Sequence, residues 1–209
     1  MWVIMCLCSA LARGEYACSD CLPSTFDFLS NVVPSILQDI RYYTAHNFVG
    51  RRIEGYNSPS CLLTKSSINN LRRVQEKALV LGYTLKVYDC YRPQRAVNDF
   101  VNWANNTLDI LTKTEFYPTL DKSTDLFPEY IATKSGHSRG STIDLTLVRL
   151  PAKEQELYLP GQELVPCFEN TEKRFRDNSI DMGTGFDCFS KLAHTNATEY
   201  IRYFTHTSL

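Results

Sequence analysis

Residues 135–144 read Ser-Gly-His-Ser-Arg-Gly-Ser-Thr-Ile-Asp, with His137 seven positions before Asp144. An imidazole nitrogen and a carboxylate oxygen are both good zinc ligands. A polar loop running into a strand can bring the two to one pocket, and Gly140 permits the tight turn between them. The bland alternative is a histidine bonded to its own loop and an aspartate that caps or pairs nearby. A second chemical group lies upstream. In Val87-Tyr88-Asp89-Cys90-Tyr91-Arg92-Pro93-Gln94, Arg92 falls where a strand meets a helix, an edge suited to a pocket residue. Its guanidinium is always charged and offers a donor fork to carbonyl or carboxylate oxygen. Taken alone it fits a surface ion pair equally well.

These groups need a frame. The spacing predicts a helix over Ser67–Leu81, capped by Ser66 or Ser67, with Leu71, Val74, Ala78 and Leu81 on one side and Gly82 as the residue after it. Tyr83–Tyr91 reads as a strand, broken by Arg92-Pro93, and Gln94–Asn105 as a helix with Val97, Phe100, Val101 and Ala104 on one face. A short helix or strand is expected near Val32–Ile40, and residues 106–134 look irregular. Ser141–Val148 reads as a second strand, with Ile143, Leu145 and Leu147 pointing one way and Thr142, Asp144 and Thr146 the other. Residues 150–185 are loop-rich, and Ser190–Leu209 starts as a helix and then stops. Helices and strands that do not alternate regularly point to an α+β fold.

Composition bounds the answer. The chain has 209 residues, enough for one domain, and 44% of them are hydrophobic, which argues against disorder. With 22 basic and 23 acidic residues the net charge is -1, so nothing favours a nucleic-acid partner. No stretch approaches a membrane span, and the sequence specifies no oligomeric state. Residues 1–12, MWVIMCLCSALA, are uncharged and end in Ala-Leu-Ala, the pattern of a cleaved secretory signal; a buried N-terminal element is the alternative. Removing them leaves six of the eight cysteines, which allow 15 pairings. Paired cysteines, and sequons at Asn105-Asn106-Thr107 and Asn196-Ala197-Thr198, fit a secreted protein. A cytoplasmic location is the alternative. Cys18-x-x-Cys21 has no second such pair, which argues against a zinc ribbon.

Three ordered stretches resemble the D-alanyl-D-alanine dipeptidases (VanX-type zinc peptidases) between about residues 25 and 195. Asp89-Cys90-Tyr91-Arg92-Pro93-Gln94-Arg95-Ala96-Val97 is similar to that family's arginine motif. Ser135-x-His137-x-x-Gly140-x-x-x-Asp144 is similar to its zinc motif, with Thr142 where the family usually has alanine. Asp181-Met182-Gly183-Thr184-Gly185-Phe186-Asp187 resembles a third stretch near the site. The resemblance implies one domain with a small antiparallel sheet flanked by helices, of the hedgehog/DD-peptidase type. It implies Zn2+ held by His137 and Asp144, Arg92 stabilising the oxyanion, and D-Ala-D-Ala as substrate. Zinc carboxypeptidases and hedgehog-type signalling domains share the histidine–aspartate pair, and the latter would make the chain a binding module. The Arg92 segment favours the dipeptidase branch.

The resemblance also implies a third ligand and a general base from a Glu-x-x-His motif toward the C-terminus. No Glu-x-x-His occurs here; the histidines are His46, His137, His194 and His206. The expectation is a signal over 1–12 and, over 13–209, a zinc dipeptidase domain that is C-terminally incomplete. Two readings follow: an enzyme completed beyond these residues, or an inactive relative that binds a peptidoglycan fragment or plays a structural part.

Overall fold

The computed structural model describes residues 22–195 and 197. The expected signal, Cys6, Cys8, Cys18, Cys21, Asn196 and His206 lie outside the described residues. In chain order the elements are β1 (Phe26–Phe28), α1 (Leu29–Val32), β2 (Leu37–Gln38), β3 (Leu62–Thr64), α2 (Lys65–Val80), β4 (Tyr83–Asp89), α3 (Gln94–Asn105), α4 (Lys113–Phe116) and β5 (Asp144–Arg149). Tight single turns cover Arg41–Tyr43, Gly136–Arg139 and Lys191–Ala193.

Strand β4 organises the molecule. It pairs antiparallel with β5 and parallel with β2, giving the order β2-β4-β5, while β1 and β3 form a separate antiparallel pair. The α+β class and its small sheet are therefore as expected, with β2 adding a parallel neighbour.

Helix α2 starts two residues earlier than its apolar spacing indicated, because the Thr64 side chain caps it by accepting from the Ser67 amide. Its buried stripe is Ile68, Leu71, Gln75 and Ala78, whereas Val74 and Leu81 are exposed. Gln75 takes the place of an apolar residue because both ends of its amide are satisfied. It accepts from the Leu85 amide and donates to Ser35 and Thr84. Gly82, at φ +80°, follows the helix and accepts the Leu150 amide, tying α2 to the end of β5. Helix α3 spans the predicted residues and inserts Phe100, Trp103 and Ala104 into a core shared with Tyr42, Phe48 and Tyr117.

Strand β5 corrects one expectation. Thr146 and Val148 face a buried side, while Leu145 is exposed and Leu147 is half-buried. Alternation shows that two faces differ but not which is covered. The region from 150 to 187, without regular elements, covers the Thr146 side: Ile180 bonds to Leu147, and Phe186 packs on Tyr88 at 4.6 Å. Two buried disulfides, Cys61–Cys90 and Cys167–Cys188, settle four of the six cysteines.

Candidate metal centre

The site forms where β4 ends and β5 begins. Pairing runs in register from Tyr83 with Arg149 to Val87 with Leu145, then skips a residue, so that Asp89 stands opposite Asp144. Without that bulge Tyr88 would occupy the place opposite Asp144. Bulges re-aim side chains in this way.

His137 enters from the turn before β5. The Ser135 hydroxyl accepts the His137 amide and caps the turn, and Gly140 ends it at φ +70°. A Cβ at Gly140 would lie 2.2 Å from the Phe26 ring, so both the left-handed backbone and the close approach require glycine here. The turn is pinned on two sides. Thr64 donates its amide to Gly140, and Arg92 donates its amide to the His137 carbonyl at 3.4 Å.

The ring of His137 is buried and held by its Nδ1, which is 2.9 Å from the Cys90 carbonyl. A carbonyl only accepts, so Nδ1 carries a proton and donates. Asp89 lies on the same side, 3.3 Å from Nδ1. The opposite nitrogen, Nε2, faces Asp144 with 3.3 Å to Oδ1. Two atoms each 2.0–2.1 Å from one tetrahedral ion would be about 3.3 Å apart. Nε2 and Asp144 Oδ1 therefore have the separation and the chemistry of two ligands to one metal.

Asp89, His137 and Asp144 form a group whose ligand atoms lie within 4.8 Å of one another. The three do not play equal parts. Asp89 is fully buried and already engaged: Oδ1 takes the Tyr56 hydroxyl and the Cys90 amide, and Oδ2 takes Arg92. It meets His137 at Nδ1, away from the Nε2 lone pair. Its place is that of a carboxylate that orients a ligand histidine.

Arg92 grips Asp89 through Nε at 2.9 Å and Nη2 at 2.8 Å. Its guanidinium lies over Tyr42 and Phe100, 5.0 and 5.1 Å from the ring centres, and 3.7 Å from Asp144. The expected surface-pair alternative fails, since this arginine is mostly buried. Burial works against its charge, but Tyr42, Asp89, Tyr56 and Asp144 outweigh it and keep the cation firmly protonated. His137 is poised similarly. Burial disfavours its charged form, while Asp144 and then Asp89 more than compensate and raise its pKa. Burial pushes the Asp89 carboxyl up despite Arg92 and His137.

Arg92, His137 and Asp144 line one cavity of about 310 Å³, together with Tyr42, Phe100, Ile131, Lys134, Ser135 and Asp187. A larger groove of about 680 Å³ runs beside β5 and contains Asp144 and Asp187 but neither Arg92 nor His137. The smaller cavity is the one that gathers the chemistry.

Asp187 was not legible as a site residue beyond its place in the third matched stretch. Its backbone is left-handed, at φ +54°, and its half-buried carboxylate accepts the Tyr42 hydroxyl at 2.6 Å. Burial, then the charge of Asp144, lifts its pKa to about 7 against the pull of Tyr42 and Arg92. The remaining described histidines lie elsewhere. His46 is buried between Arg41 and Glu115, and His194 approaches Tyr130 and Glu129.

The family model for D-ala-D-ala dipeptidases (peptidase M15) matches residues 24–156. The chain is 41% identical over 176 residues to the D-alanyl-D-alanine dipeptidase of Enterococcus faecium, covering 79% of this chain and 87% of that relative. It is 37% identical over 149 residues to the D-alanyl-D-alanine dipeptidase of Streptomyces coelicolor, covering 71% and 74% respectively. A third relative, the D-alanyl-D-alanine dipeptidase of Enterococcus faecalis, is 40% identical over 129 residues, 62% of this chain and 64% of its own length.

Proposed function

The chain belongs to the D-ala-D-ala dipeptidase family, and on that premise we propose that it hydrolyses D-alanyl-D-alanine with a zinc ion held by His137 and Asp144. The observation that carries this reading is the 3.3 Å separation of His137 Nε2 and Asp144 Oδ1 beside a buried arginine. Nitrogen and oxygen donors at this spacing suit zinc. Zinc there would supply Lewis acidity toward the scissile carbonyl and make a water easier to deprotonate.

The protein's own groups supply charge stabilisation and orientation, while the third ligand and general base that the resemblance implies are not among the described residues. Arg92 is fixed by Asp89 and two aromatic faces, so its remaining N–H groups are preorganised for charge that grows on the carbonyl oxygen during attack. Fixed donors of this kind lower the barrier because they need no reorganisation. Asp89 and the Cys90 carbonyl hold His137 in the tautomer that leaves Nε2 free of hydrogen. Asp187 is placed to pair with the ammonium end of a dipeptide, a contact that would favour its ionised form. Lys134 and Ser135, on the same cavity, are placed for the carboxylate end, and Phe100 and Ile131 for the methyl groups. A cavity of about 310 Å³ sits at the small end of ligand pockets. It favours a free dipeptide over a long chain.

Among the described residues, no helix is long and apolar enough to cross a membrane. The two disulfides, together with the apolar N-terminal run, support secretion as part of this proposal.

Purified protein supplied with zinc and D-Ala-D-Ala should release alanine, and a chelator should stop the release. No release, or release indifferent to the chelator, would overturn the reading. Cleavage of longer peptides ending in D-Ala-D-Ala as readily as the dipeptide would assign it to carboxypeptidase work instead.

A further inference from the structure

We propose that the Cys61–Cys90 disulfide is a positioning element of the metal centre, fixing the carbonyl that orients His137. This rests on the reading that His137 and Asp144 hold a metal.

Cys90 follows Asp89 directly, and its two peptide groups serve the site. Its amide donates to Asp89 Oδ1 at 2.8 Å, and its carbonyl accepts from His137 Nδ1 at 2.9 Å. Yet Cys90 lies just past the end of β4, and the β4–β5 ladder stops at the Asp89–Asp144 pair. Pro93, three residues on, lacks an amide hydrogen and gives no further support.

The bridge to Cys61 supplies what the ladder does not. Cys61 is fully buried and itself fixed from two sides. Its amide donates to the Gln38 side chain at 2.8 Å, and its carbonyl accepts the Leu29 amide at 2.9 Å. The Tyr91 amide donates to the Leu62 carbonyl at 3.0 Å, closing the same seam. Residues 90 and 91 are thus fastened to β3, and through it to β2 and α1. A fixed acceptor at Nδ1 sets both the ring angle and the tautomer, so the Nε2 lone pair stays on Asp144. Partners of this kind are worth about 10- to 100-fold in metal affinity.

The second disulfide is a control within the same molecule. Cys167–Cys188 closes a separation of 21 residues against 29 for Cys61–Cys90. Loop-closure constraint varies only with the logarithm of loop length, so the two bridges restrict the unfolded chain to a similar degree. Cys188 adjoins Asp187, however, and neither cysteine of that pair bonds to His137. If a bridge acts on the metal only through general stability, the two must behave alike. If it acts through the Cys90 carbonyl, only one matters.

The test compares the full chain with Cys61→Ala/Cys90→Ala and Cys167→Ala/Cys188→Ala. Zinc affinity is read by competition with a chromogenic chelator, and the His137 tautomer by long-range nitrogen–proton NMR. The first pair of substitutions should weaken zinc about tenfold or more and blur the Nδ1-protonated tautomer; the second should stay within about threefold of the parent. Equal losses in both variants, or none in either, would overturn the inference while leaving the metal centre standing. A parent chain that binds no zinc would overturn the metal centre and this inference with it. Should the Cys61→Ala/Cys90→Ala chain not fold, the Cys167→Ala/Cys188→Ala chain is reduced with a water-soluble phosphine, which with one water turns the Cys61–Cys90 bridge into two thiols and itself into the phosphine oxide. Zinc leaving while the far-ultraviolet dichroism stays native supports the inference. Zinc leaving only as the dichroism collapses, or staying after the bridge is reduced, overturns it.

Discussion

Two clusters of buried charge hang on strand β4, and they differ in kind. Around Asp177, every charge is paired with another group of the protein. Its carboxylate takes Lys86, Arg41 at 2.5 Å and the Tyr88 hydroxyl at 2.5 Å. Arg41 passes on to Asp39 and His46, His46 to Glu115 at 2.7 Å, and Lys86 to Gln155 and Asn178. Around Asp89 the inner groups are equally closed, but the chain of contacts ends on His137 Nε2 and Asp144, which face each other at the wall of a cavity. Asp144 keeps 31% of its side chain exposed, while Lys86 keeps 2%. Buried charge, histidine and carboxylate occur in both. What separates a candidate site from a lock is donor atoms left over at a surface a ligand can reach. The Asp177 cluster instead fastens the irregular 150–187 region onto the sheet.

That contrast can be broken by substitutions that should affect one property and spare the other. On the proposed reading His137→Ala removes a zinc ligand, and it should lower kcat/KM for D-Ala-D-Ala by about 10³-fold or more, with little change in thermal midpoint. Steady-state assay beside thermal melts reads both. Asp177→Ala leaves Lys86 and Arg41 buried without their shared carboxylate. Denaturant unfolding should show a loss of about 3–5 kcal/mol, while the folded fraction keeps kcat/KM within about threefold. A large catalytic loss from this change would merge the two clusters into one machine. Arg92→Lys keeps the charge and loses the fork, so kcat should fall by about 10²–10³-fold at unchanged zinc content. Asp187→Asn should raise KM by about tenfold and leave kcat nearly intact, because it would remove the ion pair proposed for the dipeptide's ammonium end.

The smallest effect is on pH. Burial pushes the Asp177 carboxyl up, but Arg41 and Lys86 outweigh it and hold it below the usual carboxylate range. A depressed folded pKa stabilises the protein above the unfolded value near 4, and this contribution is lost as pH falls through the folded pKa. The thermal midpoint should therefore be flat with respect to this group above about pH 5 and decline below about pH 4. In Asp177→Asn that part of the decline should vanish.

The sequence carried the site's outer members and missed its inner ones. His137, Asp144 and Arg92 announced themselves by residue type at element edges, and they converge. Asp89 lay inside a recognised motif, but its role depends on a bulge that strand alternation cannot reveal. Asp187 gave no periodic signal, because its left-handed backbone and the Tyr42 bond arise from tertiary packing. The same limit explains Val74 and Leu81. Helical spacing marked them as core, yet Gln75 turned the buried stripe toward Ser35 and Thr84. Helix α3, with proline before it and a strong apolar face, was legible to its ends.

Zinc stoichiometry in three proteins tests the central claim most directly: the parent, His137→Ala and His46→Ala. His46 belongs to the closed cluster and His137 to the open one. The account predicts one zinc per parent chain, one per His46→Ala chain and none for His137→Ala. Retained zinc in His137→Ala, or its loss in a folded His46→Ala, would contradict it.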